Sequence, residues 1–320
     1  MRQRARTYRR HGARGVAVTL TALAALSAAV LTACDSSSQQ GGRSGSASRP
    51  TPSPSPTPDW DRTPRSLAAV GDSITRGFDA CSLLADCPEV SWATGTDARV
   101  NSLALRLLGP AGAAARSWNH ARSGADVADL PAQMARAAAH KPELVTVMVG
   151  ANDACADTVE RMTPVDRFRA SFETSMARLR KDAPKAQVYV SSVPDLKRLW
   201  SAGRADPLGS QIWKLGVCSS MLGDAEDDSL SAQQRRDTVR ERIVAYNEVL
   251  EDVCADDDRC RYDGGAVFDY RFSGEHLSRW DWFHPSRYGQ ERLAEIAYRN
   301  VTAVQPPTGR LGGQAEGGAR

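Results

Sequence analysis

The sequence predicts a three-layer α/β/α fold built on a parallel β-sheet of about five strands. The main indication is the alternation of continuous apolar runs with amphipathic stretches along residues 65–304. Uninterrupted apolar runs are typical of parallel strands that are buried on both faces, and alternating strands and helices predict a sheet covered by helices. A length of about 240 residues suits one such domain.

The predicted elements follow from the composition and spacing of these segments. Three strands end in Gly or Pro and lie at residues 66–70, 144–149 and 188–193. Residues 266–269 form a fourth apolar run, and residues 117–120 a further short strand. Amphipathic spacing predicts helices over residues 98–108, 126–139, 165–181, 235–254 and 286–301. Thr163 and Pro164 suit the N-cap and first position of the third helix.

Polar residues with reactive side chains follow the predicted strands. A Gly-Asp-Ser sequence ending at Ser73 comes directly after the first strand, and a Gly-Ala-Asn-Asp sequence containing Asn152 follows a second. An Asp-x-x-His sequence joins Asp281 to His284 just before the last helix. Each motif alone also suits a turn or a helix cap. Because ligands bind beyond the carboxyl ends of parallel strands, the three together indicate a reactive site at that edge.

These blocks resemble those of the SGNH (GDSL) hydrolase family, which has Gly-Asp-Ser, a Gly-containing second block, Gly-x-Asn-Asp and Asp-x-x-His in this order. The second block resembles residues 121–125, which contain Gly124, and the resemblance extends over residues 66–300. Ile74 replaces the Leu of the family name, which is a conservative change. The resemblance implies a flavodoxin-like sheet and ester hydrolysis through an acyl-enzyme.

The resemblance also implies a role for each matching residue. Ser73 would be the nucleophile, His284 its base, and Asp281 the carboxylate that orients the imidazole. The backbone N–H groups of Ser73 and Gly124 and the side chain of Asn152 would form the oxyanion hole. This chemistry requires neither a metal ion nor an organic cofactor.

Other candidate sites have weaker signals. His120 and His276 lack a comparable context and are predicted to be structural or to lie at a rim. The acidic clusters at residues 224–228 and 256–258 lack the alternation and the glycine of a calcium loop. The G-x-S-x-G, H-E-x-x-H, G-x-x-x-x-G-K and G-x-G-x-x-G motifs are absent from the sequence.

Residues 1–33 are predicted to be a secretory signal peptide of the lipoprotein type. Residues 1–14 contain six arginines and no acidic residue, and a weakly apolar run follows over residues 15–32. The run ends in Leu-Thr-Ala-Cys34, which resembles a bacterial lipobox and predicts lipidation of Cys34. A transmembrane anchor is the alternative, disfavoured by the many Ala and Thr residues. Arg9 and Arg10 leave twin-arginine export open as a route.

The predicted mature protein is therefore a lipoprotein on the extracellular face of the cell membrane, with a released form as the alternative. Loss of the six arginines changes the formal net charge from +3 to −3. No basic stripe with interleaved aromatic residues remains, so nucleic acid is not an expected partner. Residues 34–64, rich in Ser, Gly and Pro, predict a disordered tether, and the Gly-rich residues 305–320 predict a disordered tail.

Six cysteines remain when Cys34 is set aside. Disulfides are expected in an oxidising compartment, and the spacings do not suit zinc. The sequence leaves the connectivity open. The pairing that joins near neighbours first is Cys81–Cys87, Cys254–Cys260 and Cys155–Cys218.

The identity of the substrate is less constrained than the chemistry. Cys155, three residues after Asn152, and residues 193–200 resemble the phospholipase B-like branch, which favours a lipid or other acyl ester. Residues 199–230 would line an acyl groove or simply pack below a disulfide-bonded loop, through Trp200, Trp213, Met221 and Leu222. An O-acetyl ester of a cell-wall or plant polysaccharide is the second candidate, and a non-catalytic ligand-binding lipoprotein is a remote third. We expect a monomer.

Overall fold

The computed structural model describes residues 59–204 and 206–307. The predicted signal peptide, Cys34, most of the predicted tether and the tail from residue 308 lie outside the described residues. Five parallel strands form one sheet in the order β2-β1-β3-β4-β5. Their bounds are β1 (Leu67–Gly71), β2 (Ser117–Asn119), β3 (Leu144–Met148), β4 (Gln187–Val190) and β5 (Cys260–Tyr262).

Eleven α-helices are present in the described residues. Their bounds are α1 (Ser73–Arg76), α2 (Leu103–Arg116), α3 (Leu130–Ala139), α4 (Ala151–Ala154), α5 (Val165–Asp182), α6 (Leu196–Gly203), α7 (Pro207–Trp213), α8 (Ser219–Leu222), α9 (Leu230–Ala255), α10 (Ala266–Asp269) and α11 (Arg287–Thr302). Helices α3, α5 and α9 pack side by side on one face of the sheet, and α2 and α11 pack together on the other. The predicted α/β/α architecture is confirmed.

The fifth strand is not where the sequence analysis placed it. Residues 266–269 form helix α10, and β5 lies at Cys260–Tyr262. This strand was missed because Arg261 interrupts its apolar character. Arg261 is nevertheless buried, because its guanidinium donates to the carbonyl oxygens of Asn300 and Ala303 at 2.9 and 2.8 Å.

Several helix bounds also differ from the prediction, for local reasons. Helix α2 begins at Leu103 rather than residue 98 because the Ser102 side chain caps it, and it continues past a kink at Gly109, where φ is 67°. Pro110 then restarts the helix, which suits the fixed φ of proline. Pro164 is itself the N-cap of α5, without a side-chain cap.

The folded domain begins earlier than residue 65. Trp60 Nε1 donates to the carbonyl oxygen of Val301 at 2.8 Å, and Asp61 N donates to Gln187 Oε1 at 2.5 Å. Gln187 is the first residue of β4 and Val301 is near the end of α11, so the chain enters the domain at the amino edge of the sheet. The predicted tether therefore ends before Trp60.

The described residues contain three disulfides, Cys81–Cys87, Cys155–Cys218 and Cys254–Cys260, which is the pairing predicted from sequence proximity. Cys155–Cys218 joins the end of α4 to the start of α8 across 63 residues. None of the helices within the described ranges is both long enough and apolar enough to cross a bilayer.

Candidate active site

Ser73 lies at the carboxyl edge of the sheet because of a turn that requires glycine. Gly71 ends β1 with a φ of 140°, and a Cβ atom there would lie 2.0 Å from the carbonyl oxygen of Met148 in β3. Asp72 then caps α1, since its Oδ1 accepts the Ile74 N–H at 2.9 Å. Ser73 is consequently the first residue of a short helix that starts where the strand stops.

His284 lies between Ser73 and Asp281. Its Nε2 is 2.7 Å from Ser73 Oγ, and its Nδ1 is 2.5 Å from Asp281 Oδ2. The second carboxylate oxygen of Asp281 accepts the backbone N–H groups of Phe283 and His284 at 2.9 and 3.0 Å. Trp282 makes this tight turn with a φ of 52°, which allows residues only three apart to meet. The structure thus brings together the three residues that the sequence predicted.

Two buried glutamines hold this arrangement, and the sequence analysis missed both. Gln290, six residues after His284, donates to the carbonyl oxygen of Ile74 at 2.8 Å and accepts the Trp92 N–H at 2.8 Å. The Gln133 side chain accepts the Gly71 N–H at 2.7 Å and donates to the Gly71 carbonyl oxygen at 2.9 Å. A single sequence carries no signal for these contacts, because a glutamine on an amphipathic helix normally faces solvent.

Asn152 and the turn containing Gly124 meet at the same edge. Asn152 follows β3, and its Nδ2 donates to the carbonyl oxygen of Ala125 at 2.8 Å. The Arg122 N–H donates to Gly71 O at 3.1 Å, which joins this turn to the end of β1. Neither the Ser73 N–H nor the Gly124 N–H donates to another described residue. These amides and the second Nδ2 hydrogen of Asn152 are therefore free to donate to a ligand at this edge of the sheet.

A family model described as the GDSL-like lipase/acylhydrolase family matches residues 69–292, which include Ser73, Asn152 and His284. The chain belongs to this family. It is therefore a GDSL-type ester hydrolase, as the sequence blocks predicted. No curated protein matches its sequence.

Three solved structures illustrate what this GDSL hydrolase resembles. An extracellular lipase from Streptomyces rimosus is 18% identical, with 74% of this chain and 99% of that chain covered and a TM-score of 0.42. A phospholipase A1 from Streptomyces albidoflavus NA297 is 20% identical, with coverages of 75% and 100% and a TM-score of 0.43. A family 3 carbohydrate esterase from Clostridium thermocellum is 12% identical, with coverages of 73% and 93% and a TM-score of 0.45.

The carboxylate of Asp281 is held in its charged form. Burial alone raises the pKa of this group, but the hydrogen bond and electrostatic interaction with His284 and two backbone N–H groups outweigh burial, so the net pKa is lowered. The Asp281 main-chain carbonyl also accepts Trp213 Nε1–H at 3.0 Å. Asp281 therefore presents an ionised acceptor to His284 in a fixed orientation.

Asp79 is a buried acid beside this pair that the sequence analysis did not identify. Burial, together with the negative charge of the neighbouring Asp281 carboxylate, raises the pKa of Asp79 to about 6. Its main-chain carbonyl accepts Ser278 Oγ–H at 2.7 Å, and the Ser278 N–H donates to His284 O at 2.7 Å. Through Ser278, the Asp79 main chain is therefore hydrogen-bonded to the loop that carries Asp281 and His284.

A buried acid also follows Asn152. Burial raises the pKa of Asp153 from 3.8 to about 7, although the hydrogen bond from the Val127 N–H favours the charged form. The Val127 N–H donates to its Oδ2 at 3.0 Å, and its Oδ1 has no hydrogen-bond partner in the part of the chain that the structure describes. A carboxylate in this position is costly when charged, because burial removes its hydration.

Replacement of Asp153 by Asn is expected to change the pH dependence of stability. Because the pKa is raised in the folded state, the stabilising contribution of the protonated acid is present below about pH 4 and is lost as pH rises through about 7. Asn does not ionise, so the Asp153→Asn variant does not lose this stability as pH rises. The difference in free energy of unfolding between the variant and wild type should therefore shift in favour of the variant by on the order of 4 kcal/mol between about pH 4 and about pH 8.

Urea denaturation at both pH values measures this difference. Asp153→Ala is the matched control, because it also removes the charge but leaves the Val127 N–H without its acceptor. It should be less stable than Asp153→Asn at both pH values. An Asp153→Asn variant with the same pH dependence as wild type would contradict the assignment.

The remaining predicted residues are structural in this arrangement. His276 Nδ1 accepts the Ser273 N–H at 3.0 Å and closes a 3₁₀ turn at residues 274–276. The rings of His120 and His140 stack with their centroids 5.1 Å apart, and no bond joins either to Ser73. The only His/Cys/Asp/Glu group in the described part with metal-like spacing contains Cys81 and Cys87, whose sulfur atoms form a disulfide.

Residues 199–230 pack against the core rather than forming an open acyl groove. Trp200, Trp213, Met221 and Leu222 are all buried. The segment is held by the Cys155–Cys218 disulfide and by the contact of Trp213 with the Asp281 carbonyl oxygen. Of the two alternatives that the sequence left open, packing is the one observed, and this segment supports the Asp281 loop.

Two of the larger cavities lie at opposite edges of the sheet. A cavity of about 520 Å³ adjoins the Asp281 loop and is lined in part by Asp79, Arg279, Trp280, Trp282 and Tyr288. A second, of about 590 Å³, lies near Trp60 and Tyr298 at the amino edge, away from Ser73. The cavity beside the Asp281 loop is the nearer of the two to His284, because Trp282 and Ser286 are among its lining residues.

Proposed function

We propose that this GDSL hydrolase is an extracellular, lipid-anchored serine esterase that cleaves lipid or other acyl esters, with Ser73 as nucleophile, His284 as base and Asp281 as the orienting carboxylate. The observation that carries the proposal is the continuous hydrogen-bond chain from Ser73 Oγ through both imidazole nitrogens to Asp281. A serine at its ordinary pKa is a weak nucleophile and needs such a base.

In the first half-reaction, Ser73 Oγ attacks the ester carbonyl carbon while His284 Nε2 takes the hydroxyl proton. The negative charge that develops on the carbonyl oxygen is stabilised by the N–H groups of Ser73 and Gly124 and by the Asn152 amide. The imidazolium, stabilised by Asp281, returns its proton to the departing alcohol as the carbon–oxygen bond breaks. The product of this step is an acyl ester of Ser73.

In the second half-reaction, water replaces the alcohol. His284 removes a proton from the water, whose oxygen attacks the acyl carbon, and the same donors stabilise the oxyanion. The proton then passes from His284 to Ser73 Oγ, which releases the carboxylic acid. Every proton transfer in the cycle uses the one imidazole nitrogen that faces Ser73.

A fluorophosphonate reagent tests the nucleophile directly. Ser73 Oγ is expected to form a bond to phosphorus as fluoride leaves, so the intact mass of the protein increases by one adduct and peptide mapping places it at Ser73. Ser73→Ala should remain unlabelled. An adduct at another serine, or an adduct retained by Ser73→Ala, would remove the basis of the proposal.

Asn152→Ala tests the proposed oxyanion hole. Loss of one such donor is expected to lower kcat by about 10²- to 10³-fold, because the missing bond is stronger in the transition state than in the ground state. Steady-state kinetics on a soluble p-nitrophenyl ester measures kcat and KM separately. A rise in KM with normal kcat would instead assign Asn152 to substrate binding. Gln234→Ala, which removes an exposed amide side chain on α9, is the control variant.

A polysaccharide O-acetyl ester remains the second candidate, and the cavity beside the Asp281 loop favours it. Trp280 and Tyr288 offer aromatic faces, and Arg279 offers hydrogen-bond donors, as sugar recognition requires. A series of p-nitrophenyl esters from acetyl to dodecanoyl, with phosphatidylcholine and acetylated xylan in parallel, separates the two. An acyl-ester enzyme should show kcat/KM rising with chain length, and a deacetylase should prefer acetylated xylan.

The proposed location depends on Cys34. Acylation at this residue adds apolar chains that bind a bilayer, so Cys34→Ala is expected to move the protein from the membrane fraction to the medium. Fractionation of expressing cells followed by immunodetection measures this shift. Intact-mass analysis of the native protein provides the control: an unmodified N-terminus at another residue would contradict the anchor.

A further inference from the structure

The large apolar side chains that stay exposed are distributed unevenly over the surface. Among the described residues, seven are between 53% and 83% exposed: Leu83, Leu84, Leu208, Leu215, Leu230, Tyr288 and Val304. The first six belong to segments on the carboxyl side of the sheet, and we name these six side chains the apolar rim. Val304 follows the end of α11, beside the amino edge.

Leu83 and Leu84 are held close to the proposed oxyanion hole. They form the tip of a loop closed by the Cys81–Cys87 disulfide. Asp86 of this loop accepts a hydrogen bond from Ser123 Oγ, next to Gly124, and pairs with Arg76 at the end of α1. Two consecutive exposed leucines are therefore fixed at the mouth of the site by a covalent link and an ion pair.

The other members of the apolar rim are tied to the Asp281 loop and its surroundings. Leu208 is in the first turn of α7, and Leu215 follows the end of this helix. The last residue of α7, Trp213, donates to the Asp281 carbonyl oxygen. Tyr288 is four residues after His284, in the first turn of α11. Leu230 is the first residue of α9. Further along this helix, Arg240 donates to the carboxylate of Asp195, which lies beyond the end of β4.

We propose that the apolar rim docks the carboxyl edge of the domain onto a lipid–water interface, so that the enzyme takes its ester substrate from that surface. The inference rests on the proposed esterase function and names how the substrate is presented. Isolated exposed leucines are ordinary on protein surfaces, but their concentration on one edge marks an interaction surface. Insertion of leucine side chains into a bilayer boundary is favourable because it removes apolar area from water.

A lipid surface fits this position better than a protein partner does. The apolar rim comes from separate segments on the same side of the sheet as the reactive serine, and a protein covering all of them would hinder the entry of an ester. A membrane instead supplies the ester through the same edge. With a formal charge of −3 after loss of the predicted signal, attraction to anionic lipid is not the driving force. Docking should therefore occur on zwitterionic lipid.

The reach of the chain is compatible with this orientation. The domain begins at the amino edge near Trp60, whereas the apolar rim lies at the opposite edge. The roughly 25 residues between Cys34 and Trp60 can span up to about 85 Å when extended. A domain of about 240 residues is only about 45 Å across. An anchor at Cys34 therefore allows the carboxyl edge to reach the membrane that holds the anchor.

Vesicle binding tests the proposal without relying on catalysis. The full chain is produced with Cys34→Ala, so that no acyl chains contribute, and with Ser73→Ala, so that no lipid is consumed. Cosedimentation with protein-free phosphatidylcholine vesicles measures the partition coefficient at about 0.1 M and about 1 M salt. In this background, Leu84→Ser and the double variant Leu83→Ser/Leu84→Ser test the apolar rim. Val304→Ser is the control, because it changes a similarly exposed side chain at the opposite edge.

The expected result is a several-fold weaker partition for Leu84→Ser and at least about a tenfold weaker one for the double variant, at both salt concentrations, with Val304→Ser unchanged. Thermal melting checks that each variant is folded. Absence of binding by the parent chain, equal binding by all variants, or binding lost at high salt would each overturn the proposal. Because the readout is partitioning onto vesicles and not hydrolysis, these outcomes are independent of whether Ser73 is the nucleophile.

Discussion

Ser73→Ala is expected to lower kcat for a soluble p-nitrophenyl ester by about 10⁴- to 10⁶-fold while leaving the melting temperature within a few degrees of wild type. The hydroxyl is the atom that forms the acyl-enzyme, and His284 has nothing to deprotonate without it. The fold should persist because Ser73 Oγ bonds only His284 Nε2, and the cap of α1 comes from Asp72.

Ser82→Ala is the matched control for this experiment. Ser82 is an exposed serine in the disulfide-closed loop near the site and should keep near-normal turnover. Stopped-flow measurement on wild type should also show a burst of nitrophenol if deacylation is the slower step. A Ser73→Ala enzyme that keeps more than about a hundredth of wild-type kcat would rule out Ser73 as the nucleophile.

Asp281→Asn is expected to lower kcat by about 10⁴-fold through a change in the imidazole tautomer. The Asn Oδ1 can still accept the two backbone N–H groups that Asp281 Oδ1 accepts, so the turn is retained. The Nδ2 group, however, donates where Oδ2 accepted. His284 Nδ1 must then be unprotonated, which places the proton on Nε2, and Nε2 is unable to take the proton of Ser73.

Asp79→Asn separates this effect from a simple loss of negative charge. It neutralises a buried carboxyl group beside Asp281, but it leaves the Asp281–His284 bond in place. We expect a loss of less than about tenfold for Asp79→Asn, measured as kcat on the same ester. Near-normal turnover in Asp281→Asn would show that another group orients His284, and similar losses in both variants would show that charge is the cause.

The parts of the fold that depend on continuous apolar composition were predictable. The runs at residues 144–149 and 188–193 became β3 and β4, because a parallel strand covered on both faces needs apolar side chains at every position. β5 was not predictable in this way. It lies at a sheet edge and contains Arg261, whose charge is satisfied by carbonyl oxygens of a helix that is distant in sequence.

The same distinction applies to the candidate site. The Gly-Asp-Ser, Asn-Asp and Asp-x-x-His blocks are visible because each combines a backbone turn with a reactive side chain in a few consecutive residues. Gln133, Gln290 and Asp79 act across 62 to about 200 residues of sequence, through contacts that exist only after the sheet has formed. Nothing in their own neighbourhoods distinguishes them from surface residues.

The sequence by itself therefore determined the architecture, the order of the reactive blocks along the edge of the sheet, and the family. These properties depend on local periodicity and short motifs, which a chain carries before it folds. Only the tertiary structure decided that residues 199–230 pack beneath the Asp281 loop, that Asp79 lies beside Asp281, and that six of the seven exposed large apolar side chains of the described residues belong to segments on the carboxyl side of the sheet. Burial and exposure depend on which distant segments come together, and periodicity within one segment carries no information about that.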